Sequence, residues 1–507
     1  IPFFLDEILP GDTMSVRATL FGRLATMIFP IMDNVFLDCF FFYVPNRLLW
    51  NNWEKFNGAQ ANPDDSTDFL IPQMAIGGGG TFPSGSLADY FGLPVGLIID
   101  SDDLPSALPF RAYNFIWNEW FRDQNLQDSE TVDLDDGPDS YADYQLLKRG
   151  KRHDYFTSCL PWPQKGDSVQ LPIGLTAPVI GNGHTLGLID GNAGYGLFNT
   201  SIADNGTYSA KISTTYFDDN VGTAAVNPGT APSVGAVMGV STDADRSGLV
   251  ADLSAATAAT INQLRQAFAF QKILERDARG GTRYVELLKA HFGVTSPDFR
   301  LQRPEYLGGY SQRVDVRGVP QTSASSEGSP QAQLSAYATV GAQAGYNKSF
   351  VEHGWVIGLV NVRSDITYQN QINRMWSRST RFDFYLPALA HLGEQAVLNK
   401  EIYYAANGVG ANDVFGYQER WAEYRYKPSM VTGLFRSGIS GTLDSWHLAT
   451  SFSAQPVLND AFIQDSPPID RVIAVPSEPH IILDTYFSIK HARPMPVYSV
   501  PGQIDRF

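Results

Sequence analysis

The sequence predicts a mainly β protein, with strands toward both ends of the chain and helices and long loops between them. Three observations carry that reading. Along Thr13–Leu20, Met14, Val16, Ala18 and Leu20 alternate with polar residues, the period of a half-buried strand. Val35–Val44 is an almost continuous apolar run closed by Pro45, which reads as a strand over 34–44 that is apolar on both faces. The chain also carries 45 glycines and 31 prolines in 507 residues, a turn-rich composition common in all-β folds with long loops. Apolar residues make up 43% of the sequence and aromatics 12%, enough for a large core and too much for a disordered chain. The length allows two to four domains, or one domain with long insertions.

The elements follow in order. After Pro45, Asn46 is placed to cap a short helix carrying Leu49, Trp53 and Phe56. Residues 59–107 read as loop, with four glycines in a row at Gly77–Gly80. Phe110–Gln124 has Tyr113, Ile116, Trp117, Trp120 and Phe121 at helical spacing, a helix packed on a core or a neighbour. Residues 128–143 hold seven acids and no base, and they miss the spacing of a calcium loop; a solvated loop is expected there, with an irregular cation site as the alternative. A basic cluster follows, Lys148, Arg149, Lys151, Arg152 and His153, which fits surface or subunit salt bridges better than phosphate contact. Residues 178–248 are rich in small residues and lack periodicity, the pattern of a surface insertion that orders against copies of itself. Helix returns over 252–292, with a stripe of Ile261, Leu264, Ala267, Phe268, Leu274 and Ala278, a break at Gly280–Gly281, and arginines 276, 279 and 283 around that break. Beyond it, Phe350–Val362, Thr380–Tyr385, Tyr417–Tyr426 and Ile481–Ile489 read as strands.

Charge and motifs exclude several functions. The balance of 37 basic to 53 acidic residues gives a net charge of −16, unsuited to a general nucleic-acid sleeve. Two cysteines, Cys39 and Cys159, rule out a disulfide framework and a four-cysteine zinc site, and they fit a reducing compartment. The longest apolar runs are near ten residues, about half of a membrane span. No P-loop, zinc-protease helix or nucleophile elbow occurs, and the eight histidines are scattered singly. The chain opens at Ile1 rather than Met, so a preceding leader is expected.

Specific strings then carry a resemblance. Among them are Pro10-Gly-Asp-Thr13, Phe29-Pro-Ile-Met-Asp-Asn34, Phe40-Phe-Phe-Tyr-Val-Pro-Asn-Arg-Leu48 and Leu87-Ala-Asp-Tyr-Phe-Gly-Leu-Pro94. Others are Asn118-Glu-Trp-Phe-Arg-Asp-Gln-Asn125, Leu160-Pro-Trp-Pro-Gln-Lys-Gly166, Glu275-Arg-Asp-Ala-Arg-Gly-Gly-Thr-Arg-Tyr284 and Phe415-Gly-Tyr-Gln-Glu419. In order and number they resemble the major capsid proteins of the Microviridae, in the gokushovirus branch. The blocks cover just over half of the chain, and 178–248 is the least family-like stretch.

The resemblance implies an eight-stranded antiparallel jelly roll with long helical and loop insertions. It places residues 1–177 and 249–507 in the shell domain and makes 178–248 an insertion that gathers at the three-fold axes. It implies a T=1 icosahedral shell of sixty copies around circular single-stranded DNA, formed in the bacterial cytoplasm and then part of the virion. The partners it implies are a small basic DNA-binding protein, an internal scaffolding protein, a minor pilot protein and a host surface receptor. No catalytic residue, cofactor, metal ion or membrane insertion is expected. Within the insertion, Tyr216, Phe217, Val221 and Val226 are the candidates for three-fold or host-surface contact, with the tip near residues 210–235. Arg276, Arg279 and Arg283 are candidates for interior phosphate contact, with structural ion pairs as the competing role. From another class, a surface carbohydrate-binding module or glycosidase is the alternative that the aromatics and carboxylates permit.

Overall fold

The strand predicted from Thr13 runs on to Met27, with strict alternation as far as Leu24. Every second side chain from Met14 to Leu24 is buried, while Thr13, Arg17, Thr19, Phe21 and Arg23 stand in solvent. That strand sits inside one of two four-stranded antiparallel sheets in a computed structural model of the chain. The residues described are 1–77, 80–169, 261–323, 325–327 and 330–495, together with seven short strands between 179 and 251. Eight strands form the two sheets: β1 (Pro2–Ile8), β2 (Thr13–Met27), β3 (Val35–Pro45), β4 (Glu305–Arg313), β5 (Asp315–Pro320), β6 (Leu334–Ser349), β7 (Gly354–Ser364) and β8 (Ile481–Ala492). The first sheet has the order β1-β7-β3-β4 and the second β5-β6-β2-β8. The protein is thus mainly β, as predicted.

One core joins the sheets. Leu37, Cys39, Phe41 and Tyr43 from β3 and Val356 and Val360 from β7 meet Met14, Val16, Leu20 and Leu24 from β2 and the alanines and Tyr346 of β6. Gly358 of β7 faces Phe3, Phe4 and Phe41, and a Cβ there would lie 2.8 Å from Phe4 and 3.0 Å from Phe41. The missing side chain is therefore what lets those rings close over the strand.

The other side of β3 is also buried. Phe42 and Val44, with Ile357 and Leu359 of β7, pack against a layer built from residues 49–147. Its centre is helix α1 (Leu108–Ile116), which runs into a single π-helical turn at Trp117–Phe121. The helix is buried nearly all round and stops three residues short of the predicted Gln124, because Arg122 is already extended. Asn46 does not cap a helix: Pro45 precedes the first 3-10 turn, and Asn52 precedes the helical turn Trp53–Phe56.

The acidic stretch is not simply a solvated loop. Arg111 of α1 is fully buried, and its guanidinium reaches both Asp139 carboxylate oxygens at 2.7 and 2.5 Å. It also donates to the carbonyls of Leu49 at 2.9 Å and Asp135 at 3.0 Å. Tyr144 donates to Asp139 at 2.7 Å, and Trp50 and Asn52 donate to Asp136. Asn114 and Asn118 hold the loop backbone at Thr131, Asp143 and Glu130. Of the seven acids, Asp139 and Asp135 are the counter-charges of one buried cation, while Asp128, Asp135, Asp136 and Asp143 stand exposed as a solvated loop would have them.

The basic cluster likewise pairs within the chain. Arg149 and Arg363 both reach Asp38 of β3, at 2.7 and 2.9 Å, and Arg152 reaches Asp365 at 2.7 Å. Asp38 loses solvation by burial, yet the Ser311 hydroxyl and the two guanidinium groups hold its carboxyl below the usual range. Nearby Asp465 has the opposite balance. Its burial outweighs the attraction of Lys151, Arg363 and Arg149 and raises the carboxyl to about 6.

Elsewhere three expected elements differ. Thr380–Tyr385 is a 3-10 turn at Arg381–Asp383 rather than a strand, because the Asp383 carboxylate takes the N–H groups of Ser379 and Thr380 at 2.9 and 2.7 Å. Tyr417–Tyr426 divides into the end of a strand, Val414–Glu419, and a helical turn, Ala422–Arg425. Helix α2 (Ile261–Gly280) ends at the predicted break, where Gly281 takes φ +98° and the Glu286 side chain fills the space beside it; α3 (Tyr284–Phe292) follows. The expected stripe on α2 buries only Ala278, and Ile261 and Phe268 stay exposed.

The chain divides into two compact units, Ile1–Asp167 with Ile273–Phe507, and Ser168–Lys272. The second holds small antiparallel pairings: Val179–Gly181 with Leu249–Ala251, Tyr216–Phe217 with Ala224–Ala225, and a three-stranded set of Ala236–Met238, Leu188–Asp190 and Gly196–Leu197.

Two predictions follow from the buried charges. Asp139→Ala strands the Arg111 cation and should lower unfolding free energy by about 3–5 kcal/mol in denaturant titration. Asp135→Ala, at the exposed partner, should cost under about 1 kcal/mol. Asp465 binds its proton more tightly folded than unfolded, so its contribution is fully present below the ordinary 3.8 and is lost as pH rises through about 6. Asp465→Asn should therefore gain stability relative to the parent between pH 4 and pH 7.5, by roughly 2–3 kcal/mol, read as the difference between two unfolding curves at each pH.

Candidate assembly surfaces

The residues singled out from sequence fall in different places. Tyr216 and Phe217 form one strand of a two-residue pairing, while Val221 and Val226 lie outside the described residues. Arg279 pairs through Nε with Glu394 and lies 3.8 Å from Glu419. Arg283 donates to the carbonyls of Asn118 and Arg122 at 2.9 and 2.8 Å and lies 3.4 Å from Glu286. Arg276 is exposed. Two of the three arginines thus spend donors inside the chain, binding the helix break to the α1 layer and to the strand Glu394–Leu398. Burial pushes Glu394 upward against the pull of Arg279.

A second surface was not legible as a site. Residues 373–392 hold no strand, yet they present Met375, Trp376, Phe382, Phe384, Tyr385 and Leu392 to solvent, with Trp376 at 75% and Phe382 at 65% exposure. Buried anchors fix this ridge from behind. Arg374 lies 3.3 Å from Glu401 and donates to the Ala396 carbonyl at 2.6 Å. Arg378 lies 3.2 Å from Glu423 and stacks 4.3 Å above the Tyr424 ring. The Trp421 indole donates to the Leu389 carbonyl at 2.9 Å. Burial raises Glu401 despite Arg374 and the Tyr155 hydroxyl. The aromatics are therefore held in place rather than collapsed into the core.

The two sheets also differ in their outer faces. The first lies under the α1 layer, whereas the second leaves Arg17, Thr19, Phe21, Arg23, Ile482 and Tyr486 exposed. A cleft of about 710 Å³ opens elsewhere, lined by Arg47, Asn118, Glu119, Arg122, Glu130 and Gln302 among others. Among the described residues no group of three His, Cys, Asp or Glu side chains is placed to hold a metal ion, and no helix is long and apolar enough to cross a membrane. Both cysteines are buried free thiols, and burial pushes Cys39 up to about 11.

The phage capsid protein (F protein) family matches residues 1–503. Capsid protein VP1 of Bdellovibrio phage phiMH2K is 50% identical, over all of this chain and 92% of that protein. Capsid protein VP1 of Chlamydia phage 1 is 44% identical, and that of Spiroplasma virus 4 is 37% identical, each over 99% of this chain and 92% of the relative. With the whole chain matched and its sheets, buried charges and exposed aromatic ridge in view, the chain belongs to the F-type capsid proteins of the Microviridae and is a structural subunit of a phage coat.

Proposed function

We propose that this chain forms a T=1 icosahedral shell of sixty copies around a circular single-stranded DNA genome, with a jelly roll as its structural unit. The observation that carries the reading is the path of the chain through its two sheets. From β1 to β3, and again from β6 to β8, each successive strand lies in the sheet opposite the one before it, and the chain also crosses between β4 and β5. Eight antiparallel strands shared in this way, four to a sheet over one core, support a double-sheet jelly roll as the unit. Its long connections leave at the ends of the sheets, and the one between β3 and β4 carries the α1 layer and the whole of residues 178–248.

In this reading 178–248 gathers at the three-fold axis, where three copies bury apolar surface that one copy leaves open. Tyr216, Phe217, Val221 and Val226 contribute that contact or touch the host surface. Arg276 remains a candidate for phosphate contact. A small basic protein accompanies the DNA, a scaffolding protein and a pilot protein take part in assembly and delivery, and assembly proceeds in the host cytoplasm. The role is structural and needs no active site. Many weak copy–copy contacts closed by symmetry give a stable shell, and the ridge of Trp376 and Phe382 is one such contact.

Trp376→Ala with Phe382→Ala should leave the melting curve of the unassembled chain unchanged, since both side chains are exposed. In cells that also supply the assembly partners, the same variant should yield few sedimenting particles; normal particle yield would remove the ridge from the interface. Deleting residues 210–235 should leave particles intact in electron micrographs and cut adsorption to host cells at least tenfold, as counted by unadsorbed particles. Full adsorption would assign the tip to the three-fold contact alone.

A further inference from the structure

We propose that the outer face of the second sheet is a contact surface for single-stranded nucleic acid. The proposal rests on the shell reading above and names the surface that would meet the genome.

The argument starts from register. Alternation turns Arg17, Thr19, Phe21 and Arg23 of β2 outward. Pairing with β8 sets Thr19 opposite Tyr486, Phe21 opposite Asp484, and Arg23 opposite Ile482. Pairing with β6 sets Thr19 opposite Gln343 and Phe21 opposite Gly341. Phe21 thus stands diagonal to both Tyr486 and Ile482, close enough for aromatic side chains to share one patch. All three are exposed, at 55, 70 and 66%. On the β6 side the space beside Phe21 is open, for a Cβ added to Gly341 would meet nothing within 4 Å. A flat ring with a vacant neighbouring position is a place for a planar base.

The charge points the same way. The chain as a whole carries −16, yet this face holds Arg17, Arg23, Arg317 and Lys490 against only Asp315 and Asp484. Asp315 is taken by Arg317 at 2.8 Å. Among the described residues Arg17, Arg23 and Lys490 have no ion-pair partner. Two guanidinium groups therefore flank an exposed aromatic patch, and Gln343 and Thr19 offer hydrogen-bonding groups between them. Stacking platforms edged by cations are how proteins hold single strands without reading sequence. Duplex DNA, whose bases are already stacked, has nothing to offer Phe21 and Tyr486. The opposite sheet has no such face, because the α1 layer covers it.

The test uses the full chain and a labelled oligothymidylate of roughly 30 nucleotides, a length that spans several stacking sites. The parent should bind it more tightly than a duplex of equal length. Arg17→Ala with Arg23→Ala should weaken binding and reduce the slope of log affinity against log salt by roughly 1.4, the loss of two phosphate contacts to a single strand. Phe21→Ala with Tyr486→Ala should weaken binding by at least about 5-fold while leaving the salt slope unchanged. Lys55→Ala with Arg381→Ala, exposed cations elsewhere, should bind as the parent does. Equal binding by the parent and both sheet variants would overturn the proposal, as would sheet variants that bind DNA normally but fail to form particles, since the face would then meet another copy. Particle formation by the parent is scored separately by electron microscopy. Its absence would sink the shell reading, whereas particles of the arginine variant with a full DNA content would sink this inference alone.

Discussion

Strand β3 has to satisfy two cores at once, and the rest of the molecule is arranged around that demand. Its odd-numbered residues from Leu37 to Tyr43 enter the space between the sheets, and Phe42 and Val44 enter the α1 layer. A strand buried on both faces can keep no charge without a partner in place, so Asp38 in its middle is met by Arg149, Arg363 and Ser311 from three other parts of the chain. The α1 layer faces the same problem one level out, and there Arg111 is met by Asp139. Arg149 thus ties the inserted segment to β3 through Asp38, while Arg111 and Asp139 tie the α1 layer to itself. This makes the register of the insertions specific, since a shift of one residue would leave a cation unpaired.

That division explains which parts of the fold were legible in the sequence. Strand β2 could be read because large apolar residues alternate with polar ones, and β3 because its run is apolar throughout. Strand β6 was not seen, although it alternates as regularly, because its buried positions include Ala336, Ala338, Ala342 and Ala344, which are too small to mark a period and favour helix on their own. The segment Thr380–Tyr385 erred in the other direction: its aromatics look like a strand, but they face solvent, and Asp383 closes the backbone into a turn. Strand propensity reports a pleated, half-buried surface, and here no sheet edge supplies one.

The candidate surfaces were less legible still. Arg17 and Arg23 look like ordinary polar positions of an amphipathic strand. Only pairing with β8, from the far end of the chain, brings Tyr486 and Ile482 beside Phe21 and turns those positions into a patch. The three arginines at the helix break drew attention because they cluster in sequence, yet Arg279 and Arg283 are occupied by acceptors more than a hundred residues away. Long-range pairing decides which cations remain available, and local spacing carries little of that information. The family strings were readable because they run through the chain in order, independent of any one contact.

The two sheets are unlike: one is covered by the α1 layer and the other presents an exposed outer face. The most direct measurement is a cryo-electron-microscopy reconstruction of particles from cells expressing the chain with its assembly partners. The account predicts a sixty-subunit icosahedral shell in which the β2–β8 face lines the interior and carries density that is not protein, while residues 178–248 rise outside along the three-fold axis. Particles in which that face is covered by a neighbouring subunit or turned to the exterior would contradict it.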